Sequence, residues 1–272
     1  MRRVKRLGEI VFVGLGLYDE KGISLRGMEE VKSADTVFIE LYTSVLPEFS
    51  ISRFEKISGS RPTLVSRKEL EDDNGKSILD AARKGKAVLL VPGDPLIATT
   101  HIGLRIEAKK QGIGTRIVHG ASILSAVTGL SGLHSYKFGK SVTIPFPAET
   151  TSETPYNVIA QNKKLGLHTL CLLDIKAEQK RCLSINDGLN ALLEIAKKRQ
   201  DKVITAETLV VGIANAGSSS PVIKAGYIAH LLSFDFGEPP FSLVFPGKLH
   251  FMEAEALVMF AAAPEEIRKL AQ

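Results

Sequence analysis

Short apolar runs alternate with amphipathic stretches along this chain. The runs are rich in leucine and β-branched residues and end near glycine, proline or polar residues, which is typical of buried strands followed by turns. The stretches between them space apolar residues three and four positions apart, as helices do. We therefore expect an α/β fold. Predicted strands lie at 9–13, 36–39, 63–65, 87–90, 115–118, 141–144, 168–173, 208–214 and 241–245.

The clearest helical patterns lie in the second half of the chain. Apolar residues at 189, 192, 193 and 196 follow i, i+3, i+4, i+7 spacing, as do those at 254, 257, 258 and 261. Both stretches are predicted to be helices that pack against a core. Earlier helices are expected from near Ser24, over 51–57, over 78–83, and from 102 until Gly112 ends the last of them.

The length of the chain, 272 residues, favours two α/β domains over one. Glycines recur through 129–139, as is typical of a linker. The predicted domains are residues 1–135, an N-terminal α/β domain that carries a Gly-Asp-Pro loop, and residues 136–272, a C-terminal α/β domain.

One turn carries a candidate ligand clamp. Pro92-Gly93-Asp94-Pro95 follows the strand at 87–90, and ligands bind at the carboxyl ends of strands in open α/β sheets. Gly93 lets the backbone approach a ligand, and the flanking prolines fix φ. Taken alone, the segment fits a binding loop and a simple turn about equally well.

A second turn of small residues, His119-Gly120-Ala121-Ser122, follows the strand at 115–118 and opens a helix. Ser122 is placed to cap the first helical turn, because its hydroxyl can accept a hydrogen bond from a free amide there. The small residues would also leave room for a ligand at the start of this helix. A capping role and a binding role are therefore compatible.

The first strand runs into Gly14-Leu15-Gly16, which resembles the start of a dinucleotide-binding fingerprint. Asp19 stands where the third glycine would be, and its carboxylate would repel a pyrophosphate. Glu40, at the end of the next strand, imitates the ribose-binding acid of NAD enzymes. An NAD-dependent oxidoreductase is thus a weaker alternative.

Charge and composition narrow the possible partners. The formal net charge is +5, and four of the basic residues lie before the first strand, at 2, 3, 5 and 6. Because the rest of the chain is close to neutral, a nucleic-acid partner is not expected. The basic segment could be a solvated tail, a guard for an edge strand or a partner contact, and a solvated tail is favoured. No apolar run approaches the roughly 20 residues that span a bilayer, and no signal-peptide core is present, so we expect no membrane association and a cytoplasmic location.

The cysteines and histidines indicate no metal chemistry. The two cysteines are too few for a disulfide framework, and Cys171, within Leu-Cys-Leu-Leu, is expected to be a buried apolar residue. The histidines form no HExxH pair. We therefore expect neither a structural nor a catalytic metal ion.

Six segments, taken in order, resemble the diphthine synthase family of the tetrapyrrole-methylase-like superfamily. The Gly-Asp-Pro loop alone indicates only the superfamily, whereas the Tyr136-Lys137 and Asp174-Ile175-Lys176 segments narrow the resemblance to the family. It extends over nearly the whole chain apart from the basic start. The segments are 14–19, 92–101, 132–140, 173–177, 216–218 and 245–250.

This resemblance implies two α/β domains of the tetrapyrrole-methylase-like type with the cofactor cleft between them. It implies an S-adenosylmethionine-dependent methyltransferase that methylates the amino group of the diphthamide precursor, a modified histidine of translation elongation factor 2, giving diphthine. A homodimer is implied as well. By motif, the implied cofactor-binding residues are Leu17, Asp94, Ile97, Ser122, Ile123, Leu173, Ala216 and Phe241.

Phe241 departs from the family pattern, in which histidine often follows the paired prolines. A phenylalanine can stack or pack but cannot donate a side-chain hydrogen bond, so a polar contact there would have to come from its backbone.

S-adenosylmethionine carries a sulfonium cation and no phosphate, so the carboxylates of Asp19 and Asp94 are acceptable near it. The sequence identifies no catalytic base. A tetrapyrrole C-methyltransferase of the same fold and a module that only binds the cofactor remain alternatives. The recognised segments offer only single basic residues, which suit a protein loop with one carboxylate better than a tetrapyrrole with several. These residues are Lys137, Lys140, Lys176 and Lys248.

Overall fold

The computed structural model describes residues 8–147 and 152–271. The chain divides into two compact units, Met1–Ser122 and Ile123–Gln272. The basic side chains at 2, 3, 5 and 6 lie outside the described residues.

The first unit is built on a parallel sheet. Its strands lie in the order β3-β2-β4-β1-β5, and neighbouring strands run parallel. The strands are β1 (Glu9–Gly14), β2 (Thr36–Ile39), β3 (Thr63–Leu64), β4 (Lys86–Val91) and β5 (Gly114–Val118). The helices are α1 (Leu25–Lys32), α2 (Ile51–Ser58), α3 (Lys76–Lys84) and α4 (Ile102–Lys110), with short helical turns at Glu20–Gly22 and Lys68–Asp72.

The central strands β1, β2 and β4 are buried on both faces, which explains their nearly continuous hydrophobic runs. Phe12 and Leu89 are register partners and belong to one core cluster, while Val11 and Val88, one position earlier, belong to the cluster on the other face. Helix α1 begins near Ser24, as predicted, and the Ser24 side chain caps it by accepting a hydrogen bond from Gly27 N at 3.0 Å.

The second unit contains a mixed sheet with strand order β11-β10-β12-β7-β6, in which only the β6–β7 pair among the described strands is parallel. Its strands are β6 (Val142–Ile144), β7 (Thr169–Leu173), β8 (Ile175–Lys176), β9 (Arg181–Cys182), β10 (Leu209–Ala214), β11 (Val222–Tyr227) and β12 (Phe241–Phe245). Strands β8 and β9 form a separate hairpin. The helices are α5 (Ile123–Ser131), α6 (Thr154–Lys164), α7 (Ile185–Arg199), α8 (Ile228–Leu231) and α9 (Phe251–Ala261), with short helical turns at Ser135–Lys137, Ala177–Gln179 and Glu265–Leu270.

Both helices with the clearest apolar spacing are present as α7 and α9. Leu189 and Leu192 of α7 are buried in one core cluster, and Ala254 and Leu257 of α9 are buried in the other. Cys171 is fully buried in β7, and burial raises the pKa of its thiol. Its prediction as a buried apolar residue is confirmed.

Strand β11 was not predicted from the sequence. Its segment, Val-Ile-Lys-Ala-Gly-Tyr, is interrupted by Lys224 and Gly226, so it shows neither a continuous apolar run nor a clean alternation. Antiparallel pairing with β10, from Leu209↔Tyr227 to Ala214↔Val222, holds it in the sheet.

The first unit ends before α5, whereas the sequence places the domain boundary after residue 135. Val127 of α5 lies in the same core cluster as Leu257 of α9, so this helix packs with the second unit. The glycines that follow α5 therefore lie within a unit. Within the described residues, no helix is long and apolar enough to cross a membrane.

Candidate functional site

Three loops emerge side by side at the carboxyl edge of the first sheet. Strand β1 lies between β4 and β5, and all three run parallel, so the loops that follow them are neighbours. These are the segments at 15–19, 92–101 and 119–122, each of which the sequence marked as a candidate binding turn. The carboxyl edge of a parallel sheet is where such folds bind ligands.

Two glycines join the first two loops. Gly93 N donates to Gly16 O at 2.6 Å, and Gly16 N donates to Gly93 O at 3.2 Å. Both residues have positive φ, 76° at Gly16 and 68° at Gly93, a conformation that other residues adopt only at a cost. This geometry makes Gly93 part of the packing between the loops, while its role in the approach of a ligand stays a prediction.

A third close approach involves Gly14 and Gly120. A Cβ atom on Gly120 would lie 2.3 Å from Gly93 O, and one on Gly14 would lie 2.6 Å from Gly120 N. A side chain fits at neither position without a backbone shift. The three loops are therefore packed backbone to backbone.

Asp94 is buried within this edge, only 7% exposed. Its Oδ1 accepts a hydrogen bond from Leu96 N at 3.2 Å, and its Oδ2 lies 2.7 Å from Nδ1 of His119. The side chain of His119 is 75% exposed. Asp94 was predicted to be a binding residue and His119 was not, although His119 is the first residue after β5, at the carboxyl end of a strand, where ligands bind.

The other predicted binding residues of the first unit lie close to Asp94 or in the neighbouring loops. Ile97 N donates to Asp94 O at 3.3 Å, and the side chain of Ile97 is partly exposed. Leu17 is half-buried, with its Cδ2 atom 4.0 Å from where a Cβ of Gly93 would stand. Ser122 is buried and directly precedes Ile123, the first residue of α5, so it occupies the predicted capping position.

Glu40 does not serve as a ribose-binding acid. It is fully buried, and its carboxylate accepts hydrogen bonds from Tyr42 N at 2.9 Å and from Thr43 N at 3.0 Å. The Thr43 hydroxyl also donates to it, and Nε2 of His101 lies 3.2 Å from its Oε1. Because these groups satisfy the carboxylate internally, the alternative of an NAD enzyme loses the residue that supported it.

Asp19 also has a local role. Its Oδ1 accepts a hydrogen bond from Lys21 N at 2.9 Å and caps the short helical turn at Glu20–Gly22. The carboxylate that breaks the dinucleotide fingerprint is therefore part of the loop's own structure.

In the second unit, the predicted residues Leu173, Ala216 and Phe241 share one edge of the sheet. Strand β7 ends at Leu173, β12 begins at Phe241, and β10 ends two residues before Ala216. The antiparallel registers Ala214↔Phe241 and Leu172↔Ser242 bring these strand ends together. Leu173 belongs to one core cluster and Phe241 packs against it, whereas Ala216 and Ile123 pack against the cluster on the other face.

Asn215, which was not predicted to be a site residue, connects the end of β10 to the segment before β12. Its backbone N donates to Pro240 O at 3.0 Å, and its Nδ2 donates to Glu238 O at 2.9 Å. The residue thus fixes the segment that leads into Phe241. Its φ is 52°, a conformation that asparagine adopts more easily than most residues. An asparagine after a strand was therefore only a weak indication of this position in the sequence.

Two of the segments that carry the family resemblance meet at Glu253, a fully buried residue of α9. Its carboxylate accepts hydrogen bonds from His134 N, His168 Nε2 and His250 N, each at 2.8 Å. Nζ of Lys137 also contacts it. The motifs at 132–140 and 245–250 therefore contribute to a buried hydrogen-bonded cluster around Glu253, which stabilises the second unit.

The protonation states of Glu253 and His168 follow from the geometry of this cluster. Burial would raise the pKa of Glu253, but hydrogen bonds from His250 N, Lys137, His134 N and His168 outweigh it and lower the pKa to about 2. Burial lowers the pKa of His168. Nδ1 of His168 accepts from Gly247 N at 2.9 Å, so a neutral ring with its hydrogen on Nε2 satisfies both contacts.

The contacts of Lys137 in this cluster differ from its expected role. Lys137 was predicted to be one of the single basic residues that suit a partner protein, yet its ammonium group donates to Glu253 and, at 2.6 Å, to Lys248 O. Its side chain is largely buried and stabilises the fold. Within the described part of the chain, no group of three or more His, Cys, Asp or Glu side chains could hold a metal ion.

Comparison with known proteins agrees with this architecture. Residues 9–231 match the family model described as tetrapyrrole (corrin/porphyrin) methylases. The chain is 50% identical over 264 residues to a diphthine synthase of Methanosarcina mazei, covering 95% of this chain and 98% of the relative. It is 44% identical over 251 residues to that of Methanocaldococcus jannaschii, covering 91% and 97%.

Solved structures give the same result. A crystal structure of a diphthine synthase matches with a TM-score of 0.88 at 42% identity, over 97% of this chain and all of that chain. A putative diphthine synthase from Entamoeba histolytica matches with a TM-score of 0.85 at 34% identity, over 95% and 99%. The predicted fold class is confirmed. The chain belongs to the tetrapyrrole methylase family and, within it, to the diphthine synthases, methyltransferases of diphthamide biosynthesis.

Proposed function

We propose that this chain transfers methyl groups from S-adenosylmethionine to the amino group of the diphthamide precursor on a histidine of translation elongation factor 2, giving diphthine. The observation that carries this proposal is the 50% identity to a diphthine synthase over 95% of the chain. The buried carboxylate and glycine-packed loops at the edge of the first sheet support it. This substrate also supports a cytoplasmic location, where the elongation factor works.

The residues of the first unit fit S-adenosylmethionine better than a dinucleotide. This donor would supply a methyl group on a positively charged sulfonium, which a neighbouring carboxylate favours. The loops at 14–19, 92–100 and 119–123 contain no lysine or arginine to neutralise a pyrophosphate. The glycine contacts hold the backbone of these loops close together, so a ligand can approach main-chain groups directly.

We assign the donor contacts to the residues that the resemblance implies, taken unit by unit. In the first unit, the buried Asp94 would provide a polar contact and Leu17 and Ile97 apolar ones. In the second unit, Leu173 and Phe241 would provide apolar packing at the shared strand edge. Phe241 can supply a polar contact only through its backbone. The full proposed set is Leu17, Asp94, Ile97, Ser122, Ile123, Leu173, Ala216 and Phe241.

The task of these residues is to position the reactants. Methyl transfer to an amine is a direct displacement that needs a neutral nitrogen in line with the methyl group, so most of the rate comes from orientation and exclusion of water. No protein nucleophile is needed. Rigid loops such as those packed at Gly14, Gly93 and Gly120 suit this task.

A tetrapyrrole C-methyltransferase is the second candidate, because the matched family model carries that description. A tetrapyrrole is a polyanion whose carboxylates call for several arginines or lysines beside the methyl donor. The loops of the first unit contain none, and Lys137 bonds to Glu253 instead. The elongation factor is therefore the substrate we favour.

The experiment that tests this proposal follows labelled methyl groups from S-adenosylmethionine. Label is expected in elongation factor 2 that carries the aminocarboxypropyl-histidine precursor, with a matching mass increase. Factor with an unmodified histidine, factor with the target histidine replaced, and uroporphyrinogen serve as controls. Label in the tetrapyrrole, or in factor without the precursor, would contradict the proposal.

We further propose that the protein is a homodimer. The resemblance to diphthine synthases supports this assembly, and symmetric dimers are the commonest oligomers of globular proteins. The assembly can be measured independently of the reaction.

A further inference from the structure

Asp94 and His119 form a buried carboxylate and exposed imidazole pair at the carboxyl edge of the first sheet. Nδ1 of His119 lies 2.7 Å from Oδ2 of Asp94, and Oδ1 of Asp94 accepts from Leu96 N. The Asp94 side chain is nearly inaccessible, whereas that of His119 is open to a ligand. The carboxylate is thus held by its own loop and offers its second oxygen to the ring.

This contact fixes the orientation of the imidazole and the position of its hydrogen. A carboxylate only accepts hydrogen bonds, so Nδ1 must carry the hydrogen that lies between the two groups. In the neutral ring, the lone pair is then on Nε2. Asp94 is the charged group that contacts the ring in the described part of the first unit. A buried acid that orients a histidine in this way produces a general base in several enzyme families.

Resting on the function proposed above, we propose that His119 is the general base of the methyl transfer and that Asp94 orients it. An aliphatic amine with a pKa near those of α-amino or lysine groups is largely protonated at pH 7, and an ammonium has no lone pair to attack with. Nε2 of His119 takes one proton from the substrate nitrogen. The electron pair of that N–H bond becomes the lone pair of the amine.

The remaining steps balance without a further reactant. The amine lone pair forms the new N–C bond, while the electron pair of the broken S–C bond stays on the sulfur of the methyl sulfonium donor. His119 then releases its proton to water. One proton is removed for each methyl group added, so the same imidazole serves every transfer.

The first test is made on the protein alone. Nitrogen NMR of ¹⁵N-histidine-labelled protein is expected to show the Nδ1–H tautomer for His119 at a pH where the ring is neutral, and Asp94→Ala is expected to lose it. Assignment uses His119→Ala, which removes the signal. A His119 ring with its hydrogen on Nε2 in the wild-type protein would overturn the proposal whatever the substrate.

The second test is kinetic. His119→Ala is expected to lower the single-turnover rate of methyl transfer at pH 7 by about 10²- to 10⁴-fold. The loss should shrink as the pH rises, because the substrate amine then loses its proton to water. Added imidazole should restore part of the rate. His230→Ala, which removes an exposed histidine of α8, should behave as the wild type.

The outcomes separate the base from other roles. His119→Ala should bind the methyl donor as the wild type does in calorimetry. If the rate loss is the same at every pH and imidazole does not restore activity, His119 only holds Asp94 in place and the proposal is wrong. If the wild-type protein labels no elongation factor, the proposed function fails, and this inference fails with it.

Discussion

At the scale of single residues, Gly120 sets how closely the loops of the first sheet approach one another. A Cβ atom there would lie 2.3 Å from Gly93 O, so Gly120→Ala forces a backbone shift and should cost about 1–3 kcal/mol of unfolding free energy. Gly103→Ala in α4 is the matched control, since its Cβ would meet nothing within 4 Å. It should change stability little or raise it slightly.

Urea unfolding of the two variants measures this difference directly. Equal midpoints for Gly120→Ala and Gly103→Ala would show that the loops can relax, and would remove the argument that they form a rigid edge.

The carboxylate of Asp94 permits a second residue-scale prediction. Asp94→Ala should stay folded, because the loop conformation is held by the prolines and by the Gly16–Gly93 hydrogen bonds. It should nevertheless lose much of the thermal stabilisation that S-adenosylmethionine gives the wild-type protein. If S-adenosylmethionine raises the melting temperature of this variant as much as that of the wild type, Asp94 is only a turn residue.

At the scale of elements, Glu253 joins α9 to the segments before β6 and after β12. Its pKa of about 2 lies below the usual 4.5, so its ionised form stabilises the fold. This contribution is fully present above pH 4.5 and is lost as the pH falls from 4.5 towards 2. The shift corresponds to about 3 kcal/mol.

Glu253→Gln should therefore be less stable than the wild type by several kcal/mol at pH 7, with the gap closing as the pH falls below 4.5. Glu255→Gln on the same helix is the control. Glu255 pairs with Arg268 near the surface, where solvent screens an ion pair and it contributes little to stability. Denaturant unfolding at a series of pH values measures both. A gap of constant size between Glu253→Gln and the wild type would contradict the assigned pKa.

At the scale of the whole molecule, the ligand that stabilises the native state identifies the cofactor class. A ligand that binds only the folded protein raises its apparent stability in proportion to its affinity. A thermal melt should shift upwards with S-adenosylmethionine and its demethylated product but not with NAD, since Glu40 is satisfied within the fold. A shift with NAD alone would overturn the cofactor assignment.

The proposed assembly gives the second prediction for the whole molecule. The chain has a mass of 29.5 kDa, so light scattering at micromolar concentration should give about twice that value. A single species at the monomer mass would count against the homodimer.

The sequence by itself determined the features that depend on neighbouring residues. Apolar periodicity located α7 and α9, and continuous apolar runs located β1, β4 and β7, because burial on both faces requires such runs. Glycine and proline marked the turns at 14–16 and 92–95, since few other residues fit their conformations. The order of the motifs along the chain was enough to indicate the family.

Only the tertiary structure decided which distant side chains meet. Asp94 and His119 follow different strands and become partners because β1 places β4 and β5 on either side of it. Glu253 lies in an apolar helix, and its role depends on His134 and His168, far away in the sequence. Burial and hydrogen bonding between remote segments decide whether an acid binds a ligand or supports the fold. This is why Glu40 resembled a cofactor residue in the sequence and is internal in the structure.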